Sequence, residues 1–325
     1  MPTLYDAYIS ACKERFENRK RLGCCGVNNS SKRSCGEKYC QFYRYKICKE
    51  DCTSCEKTVD CARCKNTDCD KCMHDMHYNF NGKGRLSYNC EAITYRYVLS
   101  YLNTYASEMS YVFSLFANRT PSYFNNKIII SLGCGPASEY VGLVESLDKV
   151  GFSGSLSFIG YDTNSIWGNA QNILRHESSI QKPNYNVEFR NVTLTPDDVS
   201  STSILVLNYV LSDIYHHSNN PSVDLASFLK LQLVPIIMNL PKDSFVIVNE
   251  VNHTRLWLPE IIDWVKSLVQ NFNFISGYFD PDGEIWRSHD GLLKKTLSKN
   301  LLFPLNEYNK AKSCKSCFFV LRKKV

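Results

Sequence analysis

The sequence predicts an α/β protein: a seven-stranded, mostly parallel sheet with an antiparallel last strand, preceded by a cysteine-rich module and a helical segment. Three observations carry the prediction. From about residue 124 onward, short apolar runs rich in β-branched residues recur along the chain. Patterns of helical period separate the first five of them, and strands alternating with helices imply a parallel sheet covered on both faces. The last two runs, "NFISGYF" and "CFFVLRKK", have no helical pattern of similar quality between them, which predicts an antiparallel end pair.

Strands are expected at 127–133, 156–161, 186–192, 203–209, 244–250, 273–279 and 317–323. The helical patterns among the first five are "ASEYVGLVESLDKV", "SIWGNAQNILRHESS" and the long "SVDLASFLKLQLVPIIMN"; "LPEIIDWVKSLVQNF" follows the fifth. Upstream, "EAITYRYVLSYLNTYASEMSYVFSLFA" at 91–117 contains no Gly or Pro and carries apolar and aromatic groups at helical spacing, so it forms one long helix or two. The chain therefore divides into a basic helix and loop at 1–34, a cysteine-rich block at 35–77, a helical connector at 78–123 and the sheet domain at 124–325.

Composition is that of an ordinary folded protein, 44% hydrophobic and 22% charged. The net charge of +6 permits an anionic partner without demanding one. No apolar run is seen to approach the roughly 18 residues needed to cross a bilayer, and the amino terminus lacks the apolar core of a secretory signal. The expectation is an intracellular, cytoplasmic protein with no membrane partner.

Cysteine placement is the anomaly. Of 16 cysteines, 13 lie between Cys12 and Cys90. A disulfide scaffold would be small and secreted, whereas a dense cluster in a reducing compartment more often holds metal. Three C-x-x-C knuckles are formed by Cys52 with Cys55, Cys61 with Cys64, and Cys69 with Cys72. Cys35, Cys40 and Cys48 stand upstream of them, and His74 and His77 downstream. A two-residue gap lets both thiolates of a knuckle face one ion, and two knuckles complete a tetrahedron, so the ligand supply suits about two zinc ions. Thiolates also bind iron–sulfur clusters, and spacing does not say which cysteines share an ion. A fourth knuckle, Cys314 with Cys317, lies at the mouth of the last strand; it either completes a site with Cys24 and Cys25 or is incidental. Within "KYCQFYRYKICK", Lys38, Arg44, Lys46 and Lys49 interleave with Tyr39, Phe42, Tyr43 and Tyr45. Cations for phosphates and rings for stacking suit RNA; the plainer alternative is that the rings cover a small metal core.

The first strand ends in "IIISLGCGPAS". Gly133 and Gly135 permit positive φ and a close approach of ligand to backbone, and the helix that follows offers unpaired amides. A dinucleotide site would favour G-x-G-x-x-G, but Ser138 holds the third glycine position. The second strand, "LSFIGYDTN", ends in Asp162, which either accepts hydrogen bonds from a ribose diol or caps the next helix.

Together, "IIISLGCGPAS" and "FIGYDTN" resemble the first two signature segments of class I S-adenosylmethionine-dependent methyltransferases, over roughly residues 124–325. The resemblance implies a Rossmann-like sheet whose antiparallel last strand is inserted, with S-adenosylmethionine as cofactor. It implies that Leu132, Gly133, Cys134, Gly135 and Pro136 line the methionine part and that Asp162 holds the ribose. Asn191 and Val192, in "FRNVTLTPDD", would neighbour the adenine. The fourth strand, "SILVLNYVLSDIYHH", would end at the methyl-transfer site, placing Asn208, Tyr209 and Asp213 there, with Glu250 from the fifth strand facing the cleft.

"NYVL" lacks the Pro-Pro of enzymes that methylate exocyclic amines of DNA bases, and no cysteine between Cys134 and Cys314 can serve as the nucleophile that cytosine C5 chemistry needs. Direct displacement remains, which needs alignment above all, with a general base where the acceptor carries a proton. Asp213, His216, His217 and Glu250 are the candidate bases, each with a plain structural alternative. Cys134 is expected to pack rather than react. The expected function is therefore an S-adenosylmethionine-dependent methyltransferase acting on RNA presented by the cysteine-rich module, with protein or a small molecule as the alternative acceptor. The competing readings are a catalytically silent binding protein and a dinucleotide-dependent oxidoreductase.

Overall fold

Ile128, Ile129 and Ile130 form the middle of the first strand, where branched side chains suit a pleat covered on both faces. The computed structural model describes residues 2–21, 91–217, 220–251, 263–264, 267–268, 270–279 and 295–324. The strands are β1 Lys127–Leu132, β2 Leu156–Tyr161, β3 Tyr185–Arg190, β4 Ile204–Asn208, β5 Phe245–Val251, β6 Phe272–Tyr278, β7 Lys295–Thr296 and β8 Ser316–Lys323. They form one sheet in the order β3-β2-β1-β4-β5-β8-β6-β7. Strands β1 to β5 run parallel. β8 is antiparallel to both β5 and β6 and lies between them. The mostly parallel sheet with an inserted antiparallel strand is thus the Rossmann-like arrangement expected.

Among the described residues the expected seven strands are eight. β7 has two residues, too few to show alternation, and pairs parallel with Gly277 and Tyr278. Its approach depends on a bare backbone, since a Cβ on Gly277 would lie 2.0 Å from the Lys295 carbonyl oxygen.

The helices among the described residues are α1 Leu4–Arg21, α2 Glu91–Ala117, α3 Ser138–Lys149, α4 Gly168–Gln181, α5 Val210–His217, α6 Pro221–Ser227 and α7 Val234–Met238. The 91–117 pattern is a single 27-residue helix. The stretch read as one long helix at 222–239 is divided: a π-helical segment at Phe228–Leu233 joins α6 to α7. Pro235 supplies no N–H for the Leu231 carbonyl, and the Val234 N–H instead bonds the Leu229 carbonyl five residues back. The whole stretch Pro221–Met238, with mean hydropathy 1.3, is long and apolar enough to cross a membrane by length and composition, a property the sequence reading missed. Its Leu225, Leu229, Leu233, Ile236 and Ile237 are nevertheless buried in the sheet's core with Leu205, Leu207, Val246, Val248, Phe319 and Leu321.

The described residues fall into two compact units. One takes α1, α2 as far as Leu102, Asn164–Glu177 and Asn306–Lys310; the other takes Asn103–Thr163, Ser178–Leu305 and Ala311–Val325. In the first, Thr3 and Asp6 close a reciprocal cap on α1, each backbone N–H donating to the other's side chain. Lys13, one of the basic residues of the amino-terminal segment, pairs with Glu307 at 2.7 Å. Arg96 stacks on the Tyr308 ring and donates to the Tyr308 carbonyl at 2.9 Å. The second unit contains the whole sheet.

The metal ligands expected from spacing are Cys35, Cys40, Cys48, Cys52, Cys55, Cys61, Cys64, Cys69, Cys72, His74 and His77, and all of them lie outside the described residues. So do Cys24, Cys25 and the basic–aromatic "KYCQFYRYKICK".

Candidate functional site

The chain leaves β1, passes to β2 and β3 on one side, then returns to β4 on the other side of β1. That reversal makes the carboxyl ends of β1 and β4 the switch point at which a doubly wound sheet opens a crevice. The turn there is built from left-handed residues: Gly133 at φ 63°, Gly135 at φ 47° and Ala137 at φ 58°, after which α3 begins at Ser138. Gly133 is required twice over. Its φ favours glycine, and a Cβ would lie 2.9 Å from Val210 Cγ2.

The bend is tied to β2 at two points. The Cys134 N–H donates to the Tyr161 carbonyl at 3.1 Å, and the Gly135 N–H donates to Asp162 Oδ2 at 2.8 Å. Asp162, expected either to hold a ribose or to cap the next helix, thus accepts a hydrogen bond from the bend, and it is half-buried. Asn191 follows the end of β3 and donates its amide to the Asp162 carbonyl at 2.6 Å, which joins a third strand end to the group. Val192 points outward, 56% exposed. Cys134 is buried, and its Sγ lies 2.7 Å from where a Cβ on Gly160 would stand, so the thiol fills the space over that glycine as a packing group.

Ser138, where a dinucleotide fingerprint would carry glycine, has its own task. Its Oγ accepts the Asn208 amide at 3.0 Å, fastening the start of α3 to the end of β4. The same amide lies 3.5 Å from Glu139 Oε2, and Glu139 Oε1 accepts the Ser131 hydroxyl at 2.6 Å. Asn208 Oδ1 accepts from Asn249 at 2.9 Å. Both ends of the Asn208 side chain are thus held.

Asn249 leads to the group that the sequence reading missed. Glu108, on α2, is fully buried. Its Oε2 accepts from the Tyr209 hydroxyl at 2.9 Å and from Asn249 at 3.1 Å, while its Oε1 accepts the Lys315 and Ser316 N–H groups at 2.9 and 3.2 Å. Burial pushes its pKa up and the four donors pull it down. Tyr209 itself sits at φ 61°, its ring stacked on Tyr105 with centroids 3.9 Å apart. Glu108 was discoverable as the single carboxylate between residues 92 and 117 of a largely apolar helix.

The four candidate bases lie on β5 and α5. Glu250 was expected to face the cleft, but it is 1% exposed and accepts the Ser212 N–H at 3.1 Å, holding the first turn of α5. Burial raises its pKa to about 7. The sequence places it at the end of a strand but does not show that a helix starts against it. Asp213, His216 and His217 belong to α5. Asp213 is exposed in the first turn, where a carboxylate suits the helix dipole. Leu132 is half-buried and Pro136 buried within the bend.

The Cys314 and Cys317 thiols are buried, and burial drives both pKa values upward. Their sulfurs lie 3.7 Å from the Asn300 carbonyl and 3.4 Å from the Glu250 carbonyl. Among the described residues no cluster of three or more His, Cys, Asp or Glu side chains could hold a metal. The knuckles Cys52 with Cys55, Cys61 with Cys64, and Cys69 with Cys72 fall outside those residues, as do Cys35, Cys40, Cys48, His74 and His77.

No protein-family model matches the chain, and no curated protein matches its sequence. Solved structures with a similar course of chain include a protein from Listeria monocytogenes provisionally described as a class I S-adenosylmethionine-dependent methyltransferase: 8% identity, 98% of this chain and 88% of that one, TM-score 0.44. The CurJ carbon methyltransferase is similar at 11% identity over 85% of this chain and 71% of that one, TM-score 0.42. The plantazolicin methyltransferase BpumL is similar at 12% identity over 71% and 88%, TM-score 0.40. At such scores a likeness carries no functional weight.

Proposed function

We propose that this chain is an S-adenosylmethionine-dependent methyltransferase whose acceptor is RNA, presented by the cysteine-rich block. The observation that carries the first half is the Gly135–Asp162 hydrogen bond. It joins a bare, left-handed bend to a carboxylate at the adjacent strand end, the juxtaposition a nucleoside with a polar tail requires. The residues present fit that ligand. Leu132 to Pro136 would follow its methionine part, Asp162 its ribose, and Asn191 and Val192 the neighbourhood of its base.

When bound, S-adenosylmethionine supplies a methyl group on a sulfonium, already activated for transfer. The chain's own contribution is then alignment. Asn208, held from both sides, and Tyr209, held by Glu108, would fix the end of β4 against which the acceptor is placed. Glu250, committed to α5, leaves the exposed Asp213 as the candidate to take a proton from an acceptor hydroxyl or ammonium. The RNA half rests on the cations and rings of "KYCQFYRYKICK" beside the zinc-spaced cysteines.

Titration calorimetry with S-adenosylhomocysteine tests the cofactor site on the full chain. Saturable binding is expected, weakened at least about tenfold by Asp162→Ala, as loss of charge-assisted bonds implies. Equal affinity in that variant, or no binding to the unaltered chain, overturns the assignment. Transfer of a labelled methyl group to RNA, but not to protein or small molecules in parallel, tests the acceptor. Cofactor binding with no transfer to any acceptor favours the catalytically silent alternative.

A further inference from the structure

The end of the sheet opposite the candidate crevice holds a hollow that the methyl-transfer reading does not use. It has a volume of about 430 Å³, within the range of roughly 300–1,000 Å³ typical of small-molecule sites. Its floor is the amino end of β5 and β6 with the carboxyl end of β8, and its wall is the last turn of α2 and the 3-10 turn Pro121–Phe124. Every lining residue belongs to the unit that contains the sheet.

The lining is two-sided in chemistry. Phe116 packs edge-on against Phe245 with centroids 4.7 Å apart, and Tyr123 does the same at 5.5 Å, which makes a rigid aromatic wall. Ile275, on β6, adds a large apolar side chain to the floor and is 46% exposed to water. The polar side is cationic. Arg322 is paired with Asp243 at 2.8 Å, but among the described residues no carboxylate pairs with the exposed Arg119. Two guanidiniums against one carboxylate leave one net positive charge. At the end of α2 the Phe116 carbonyl accepts the Arg119 and Thr120 N–H groups at 3.1 and 3.0 Å.

We propose that this hollow is a second ligand site, taking a monoanionic amphiphile: a carboxylate held by Arg119, with an aliphatic body of medium length lying along Phe245, Phe116 and Ile275. A planar guanidinium matches a carboxylate in two parallel hydrogen bonds, and the apolar walls remove the body from water. A cation meets like charge there, and a neutral alcohol of the same length gains the walls without the charge.

The test is calorimetry of the full chain with octanoate, octanol and octylammonium, and it is independent of whether the cofactor reading holds. Octanoate is expected to bind saturably at one site, octanol about tenfold more weakly and octylammonium not at all. Arg119→Gln, at an exposed position where folding is not at risk, should lower octanoate to the affinity of octanol while leaving S-adenosylhomocysteine heats unchanged. Ile275→Glu should abolish octanoate binding. Absence of saturable octanoate binding, equal affinity for octanol, or undiminished binding by Arg119→Gln overturns the proposal. Failure of S-adenosylhomocysteine to bind the unaltered chain would sink the methyl-transfer reading and leave the octanoate result standing.

Discussion

The Tyr209 hydroxyl donates to Glu108 Oε2 at 2.9 Å, joining residues 101 positions apart in the chain. This bond holds a tyrosine whose backbone is left-handed, a conformation that costs of order 1–3 kcal/mol in a residue other than glycine. The surroundings must therefore over-determine it, and the buried carboxylate with its four donors does so.

Removing the two partners should have unequal effects. Tyr209→Phe takes away one of four donors and is expected to lower stability by about 1–2 kcal/mol. Glu108→Ala leaves the Lys315 and Ser316 amides, Asn249 and Tyr209 without their acceptor, and should cost about 3–5 kcal/mol. Urea unfolding of both variants measures the difference. Equal losses would show that the carboxylate is not the hub.

The bend makes a separable prediction. Gly133→Ala meets both a positive φ and Val210, so it should destabilise by more than the roughly 1–2 kcal/mol that handedness alone costs. Adding Val210→Ala relieves the contact but not the backbone, so a double-mutant cycle should show favourable coupling of about 1 kcal/mol. Additive behaviour would mean that the Val210 contact is of no consequence. S-adenosylhomocysteine affinity should fall in Gly133→Ala, because the new methyl group stands on the bend itself.

How much of this was legible in the sequence follows from how local each feature is. The run Ile128–Ile130, the Gly133–Gly135 bend and Asp162 are contiguous signals, and the strands they predict lie within two residues of those observed. The inserted position of β8 also matched the resemblance. β7 carried no period because it has two residues, and its pairing depends on the missing side chain of Gly277. The π segment follows from Pro235, which was visible, but the widening of the helix around it was not. Glu250 was assigned to the cleft by position in its strand; its actual partner, the Ser212 amide, depends on where α5 begins. The partners of Glu108 were the least legible, since they lie just after β4, on β5 and at the start of β8, and no window of sequence contains them all.

The cysteine block predicts a metal count. Purified protein should carry about two zinc ions per chain, since two tetrahedral sites need eight of the eleven candidate ligands. Replacing Cys52 and Cys55 together by serine should lower the ratio by about one. Metal analysis checks both. A stoichiometric iron and sulfide content instead would replace zinc by a cluster, and no bound metal in protein purified under reducing conditions would remove the metal assignment altogether.

Stability should depend on pH through two buried carboxyls. Burial raises Glu139 and Glu250 from 4.5 to about 7 in the folded chain. A group whose folded pKa is raised binds its proton more tightly when folded, so its contribution is fully present below the unfolded pKa and is lost as pH rises through the folded one. The window is therefore about pH 4.5 to 7, with stability falling as pH rises across it. Each group contributes on the order of 3 kcal/mol across that window, from the size of the shift. Glu139→Gln and Glu250→Gln should each flatten the slope of urea-unfolding free energy between about pH 5 and 7, and the double variant should flatten it further. Glu250→Gln also keeps a side-chain oxygen for the Ser212 N–H, so its loss at about pH 5 should be small. A wild-type stability that rises steadily across that window, or single variants whose slopes equal the wild type's, would mean that these carboxyls remain ionised within the fold.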